Sequence, residues 1–145
     1  MSKDLDSIRH VIQDGVARAI AVVALAGIAL IHVLDAPGTF QGTAYKGWLY
    51  VALISGCVLT AGVLIRRGDP RAWAAGAMLA SGAIVAFVVS RTIGLPQGAD
   101  DIGNWTEPLG MASLFVEGGL LALCLERLRT FSAVSHSHEL VSAHA

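Results

Sequence analysis

Residues Val16–Leu34 read VARAIAVVALAGIALIHVL, and three more stretches of the same character follow at Leu49–Ile65, Ala72–Val89 and Leu109–Leu125. Each runs to about 17–19 residues, enough to cross a hydrocarbon core as an α-helix rising 1.5 Å per residue. Inside lipid every backbone N–H and C=O must find its partner within the chain, which selects helices over isolated strands. The alternation of apolar and polar residues that a membrane barrel needs is absent. The expected fold is all-α: an integral membrane four-helix bundle with both termini cytoplasmic.

The composition points the same way. The chain has 145 residues, 54% hydrophobic and 14% charged, with a mean hydropathy of +0.64. A soluble domain carries about 25% charged residues, so there is too little charge here to cover a water-facing surface. A soluble globule, a disordered chain and a coiled coil are all excluded on that ground. The formal net charge of -1 offers no basic field for nucleic acid. Two cysteines, Cys57 and Cys124, are too few for a disulfide framework and read as small packing residues at different depths. No phosphate-binding loop, dinucleotide fingerprint, zinc-protease motif, nucleophile elbow or C-x-x-C occurs.

Orientation follows from the basic residues. Lys3, Arg9 and Arg18 lie at the start, Arg66, Arg67 and Arg71 between spans two and three, and Arg127 and Arg129 after span four. Only Lys46 and Arg91 fall on the other side, so the positive-inside rule directs the termini to the cytoplasm of a cell membrane. The first span is expected to stay in place, because Ile31-His32-Val33-Leu34-Asp35 at its end is a poor cleavage context. Tyr45, Trp48, Tyr50 and Trp105 suit an outer aromatic belt, and Trp73 an inner one.

Three regions are therefore expected. Residues 1–15 form a cytoplasmic interfacial helix with Leu5, Ile8, Val11 and Ile12 on one face. Residues 16–129 form the transmembrane domain, with outer loops at Asp35–Trp48 and Arg91–Pro108. Residues 130–145 form a mobile cytoplasmic tail, whose His136 and His138 lack a preorganised metal geometry. Small residues mark packing seams: Ala52, Gly56 and Thr60; Ala72, Gly76 and Ala80; Gly82, Ala86 and Ser90; Gly110, Leu114 and Gly118. These seams also leave room for a homo-oligomer or a larger membrane complex.

Five ionisable residues need an explanation. Glu117 lies about 12 Å into span four, where a carboxylate costs about 2.5–3.5 kcal/mol and must face the interior. It is either a structural group bonded to Ser113 or a neighbour, or part of a binding site or proton relay. His32 near the end of span one has Asp35 one turn later, a spacing at which a carboxylate can orient an imidazole. Arg91 emerges from span three among acids and is a natural partner for Glu107, Asp35 or Glu117, or else a snorkelling anchor. Glu107 before Pro108 also suits a helix N-terminus. His32, Asp35 and Glu117 are the candidate metal ligands, and no cofactor is indicated.

Ser90-Arg91-Thr92-Ile93-Gly94-Leu95-Pro96, with His32 and the segment from Glu107-Pro108-Leu109-Gly110 through Ser113 to Glu117, resembles small four-span bacterial membrane proteins. The likeness covers residues 20–125 and implies the fold but no activity. On the residues themselves, His32, Asp35, Arg91, Glu107 and Glu117 are expected beneath the outer loops in a polar pocket capped by Trp105. The first functional expectation is an accessory or binding subunit. The alternatives are a transporter or proton conduit using Glu117, and a membrane enzyme with His32 as acid or base.

Overall fold

A computed structural model describes the backbone of residues 2–142 and the side chains of residues 5, 7–99 and 101–133. The chain forms α1 (Ser2–Gly42), α2 (Ala44–Arg66), α3 (Pro70–Thr92), a 3₁₀ turn at Ala99–Asp101, and α4 (Pro108–Ser142). All four helices are long and apolar enough to cross a membrane. At 23 residues each, α2 and α3 are about 34 Å long, close to the ~30 Å hydrocarbon thickness. Their outward faces are mainly apolar, with Ser55 an exposed polar residue in mid-helix. Met78 is 75% exposed and Phe115 on α4 is 84% exposed, an apolar surface of the kind that suits lipid.

Two antiparallel hairpins, α1–α2 and α3–α4, build the bundle. They join mainly through α1 on α4, while α2 and α3 touch most sparsely of the four neighbouring pairs. A tight turn joins the two hairpins at one end. Asp69 caps α3 by accepting from the Arg71 amide at 2.8 Å, and Pro70 takes the first helical position. At the same end Asp14 pairs with Arg18 at 3.1 Å and with Arg127 of α4. This is the basic end, and the 93–107 connection marks the opposite, loop end.

The core fills the half of the bundle toward the basic end. Ala17, Ala21, Leu25 and Ile28 of α1 recur at helical spacing and are buried, facing Cys57 and Leu64, Trp73 and Ala80, and Leu120 and Cys124. Of the expected seams, Ala72, Gly76 and Ala80 are all buried, and a Cβ on Gly76 would stand 3.1 Å from Cys124 Sγ. Gly56 lets α2 approach Leu79 of α3. Gly82, Ala86 and Ser90 form no helix–helix seam; they line a cavity instead.

Four expectations are revised. The outer stretch Asp35–Trp48 is no loop: α1 runs through Pro37 to Gly42, and a corner at Thr43 leads directly into α2. The helical turn beyond Pro37 is held by tertiary contacts. Phe40 packs on Gly47 and meets Trp48 edge-on at 5.9 Å, and Tyr50 reaches back to Asp35 at 2.8 Å. Residues 2–15 are the start of α1 and not a separate helix, and α4 continues as helix to Ser142. Trp73 is no belt residue: it is completely buried, with the Arg127 guanidinium 5.6 Å from its ring. His136 and His138 lie outside the described side chains.

A polar cavity at the loop end of the bundle

The loop-end half of the bundle is hollow where the basic-end half is solid. A cavity of about 690 Å³ lies between the four helices, and His32, Asp35, Arg91, Glu107 and Glu117 all line it. Each helix delivers part of it: His32 and Asp35 come from α1, Tyr50 from α2, Arg91 from α3, and Glu117 from α4. The volume falls within the range of small-molecule sites.

The 93–107 connection supplies its rim. Gly94 (φ +80°) and Gly103 (φ +79°) take up the left-handed backbone that reverses the chain, and Gln97 does so at φ 58°. This segment is stitched to the α1–α2 corner. Thr43 Oγ1 donates to the Gln97 carbonyl at 3.0 Å and the Tyr45 hydroxyl to the Pro96 carbonyl at 2.8 Å. Gly98 is bare because the Lys46 ammonium crosses over it, where a Cβ would sit 2.0 Å from Nζ.

Arg91 is the hub of the rim. Its Nη2 donates to Glu107 at 2.8 Å, its Nη1 meets Asp101 at 3.1 Å, and its guanidinium stands 4.8 Å from the Phe87 ring centroid. Lys46 meets the other oxygen of Asp101 at 3.1 Å. Two cations and two carboxylates thus close into a neutral network, and a guanidinium only 7% exposed is matched in charge. Among the expected partners Arg91 takes Glu107, and it pairs with neither Asp35 nor Glu117. Trp105 leans edge-on against Phe87 at 6.1 Å and does not cap the cavity.

Deeper in, the groups meet hydroxyls and not cations. Glu117 is 2% exposed, and Ser113 Oγ, one turn above, donates to its Oε1 at 2.6 Å. Its Oε2 has no hydrogen-bond partner among the described residues. Asp35 accepts from the Tyr50 hydroxyl and from Thr39 at 3.4 Å. His32 turns away from Asp35: its Nδ1 donates to the Ile28 carbonyl at 2.9 Å, and its ring meets Tyr50 edge-on at 4.7 Å. In the neutral imidazole that leaves Nε2 as an acceptor. His32 stands within electrostatic reach of Glu117.

All five candidates therefore border one space, although only Arg91 and Glu107 touch. Among the described residues no three of His, Cys, Asp and Glu converge as a metal site. Sequence reasoning gave no weight to Tyr50, whose hydroxyl holds Asp35, or to Lys46 as a rim cation. The isolation of Lys46 among outer acids was a usable signal, whereas nothing in the sequence distinguishes Tyr50 from a belt aromatic. Comparison with known families, with curated proteins and with solved structures gives no match.

Proposed function

We propose that this chain is an integral membrane binding protein whose cavity takes a small ligand, acting as an accessory subunit in a bilayer or a larger membrane complex. The observation that carries this reading is the convergence of five ionisable side chains from three helices and a connection on one cavity of about 690 Å³. A bundle held together by packing alone would not keep such groups around an empty space, because each is expensive at membrane depth. The distribution of Lys and Arg supports a cell-membrane orientation with both termini cytoplasmic and the cavity toward the outside.

A conduit fits less well. Toward the basic end from Glu117 the interior is closed by Leu120, Cys124, Leu64, Trp73 and Ala80, all essentially inaccessible, with Thr60 the one buried hydroxyl among the described residues there, which counts against a path through one copy. An acid–base role for His32 has less support than binding, since its Nδ1 bonds its own helix and no carboxylate orients it.

The test is to purify the protein from its native membrane, denature it, and identify released small molecules by mass spectrometry. A compound present in stoichiometric amount with the native chain and lost from Glu117→Gln is the expected result. Identical release from both chains overturns the reading.

A further inference from the structure

The geometry points to a ligand class: a single-chain amphiphile with an ammonium head, which reaches Glu117 sideways from the bilayer between α2 and α3. This rests on the cavity being a binding site, and three independent features lead to it.

The first is charge. Asp101 and Glu107 are neutralised by Lys46 and Arg91. Asp35 and Glu117 also line the cavity and have no cation within ion-pair distance among the described residues. The groups left without a cationic partner are both carboxyls, so the cavity offers a counter-ion to an ammonium and none to a phosphate or carboxylate head. The second is hydrogen-bonding capacity. Glu117 is 2% exposed with Oε2 open, and His32, its Nδ1 on the Ile28 carbonyl, lines the same cavity. A carboxylate oxygen is an acceptor, and an ammonium offers three donors and no acceptor.

The third is the shape of the opening. Leu79 packs on Gly56, and there α2 and α3 touch. From there toward the loop end the α2–α3 seam, the sparsest of the four, gives way to the cavity, which Leu49, Leu53, Gly82 and Ala86 line, all but Leu53 of them exposed. Gly76 faces Cys124 across the antiparallel α3–α4 pair. Ala83, seven residues on, therefore stands level with Glu117, seven residues before Cys124. The window thus lies at the depth of the free carboxylate, and its walls are apolar. An amine bound at Glu117 would lead its hydrocarbon chain straight out among the acyl chains.

The test uses the full chain in phosphatidylcholine nanodiscs with radiolabelled decylamine, and empty nanodiscs as background. We expect saturable binding of one decylamine per chain, not displaced by decanoate or decanol. Glu117→Gln should weaken it by about tenfold or more, as loss of a charge-assisted contact implies. Gly82→Leu, whose Cβ enters open space, should slow decylamine association by about tenfold by filling the window. This second variant keeps the test sharp if Glu117→Gln fails to fold. Binding no greater than background, or equal binding of decanoate, overturns the proposal. So does saturable methylammonium binding without decylamine binding, an outcome that leaves the polar binding site intact. If no amine binds and native material still releases a Glu117-dependent compound, the ligand class is wrong and the binding function stands. If neither occurs, both fall.

Discussion

Arg91 shows how much of one residue's role depends on neighbours far along the chain. Its guanidinium is buried, and it is tolerable there because Glu107, Asp101 and the face of Phe87 surround it. Removing one member of a fully buried pair costs about 3–5 kcal/mol, but the carboxylates left here are 31% and 37% exposed and water compensates them in part. Arg91→Ala in detergent should therefore lower unfolding stability by about 1–2 kcal/mol, measured by chemical denaturation. Adding Glu107→Ala should then cost under about 1 kcal/mol more, because the interaction is already gone. Full additivity of the two would show that the guanidinium anchors the helix end instead. The sequence made Arg91, His32 and Glu117 conspicuous, since ionisable groups are rare in apolar runs. It left their partners open. Asp101 and Glu107 lie on the connection and Asp35 on another helix, and only the fold brings the first two to Arg91; the hydroxyl of Tyr50 carries no mark in a one-dimensional reading.

At the scale of helices and corners, local chemistry and tertiary contact disagree once. Asp69-Pro70 marks the start of α3 in sequence and in structure, because cap and imino acid act within one turn. Pro37 signals an end that α1 ignores. Proline removes one backbone donor from a helix interior, but here Phe40 on Gly47 and Tyr50 on Asp35 fasten the turn that follows. The corner at Thr43 is the other half of that arrangement. Thr43 precedes α2 without capping it, and its hydroxyl donates to Gln97 in the rim connection. Thr43→Val keeps the shape and removes the donor, and it should lower stability by about 1 kcal/mol. It should also increase hydrogen exchange at the amides of residues 95–99. Thr43→Ser should restore both. If Val and Ser behave alike, the hydroxyl is not what binds the rim to the corner.

Across the whole molecule, a solid half and a hollow half share one set of helices, and the small residues separate them. Where α3 offers Gly76 and Ala80, α4 closes onto it; where α3 offers Gly82 and Ala86, its neighbours stand off and the cavity begins. The four spans were legible because bilayer thickness acts on the chain as a whole. The hollow was not, because a glycine stripe reads the same whether a helix or a void lies against it. The resulting asymmetry makes a prediction about water. Thr106 is exposed in the connection at the loop end and Arg67 is exposed at the basic end, while Cys57 and Cys124 are both fully buried in the solid half. In intact cells a membrane-impermeant maleimide should label Thr106→Cys within minutes and Arg67→Cys only after permeabilisation. The native cysteines should stay unmodified in both conditions. The opposite order of labelling would invert the protein in its membrane and turn the cavity toward the cytoplasm. Labelling of Cys57 or Cys124 would show water in the interior between Glu117 and the basic end, and a through-path would then be open to a single copy.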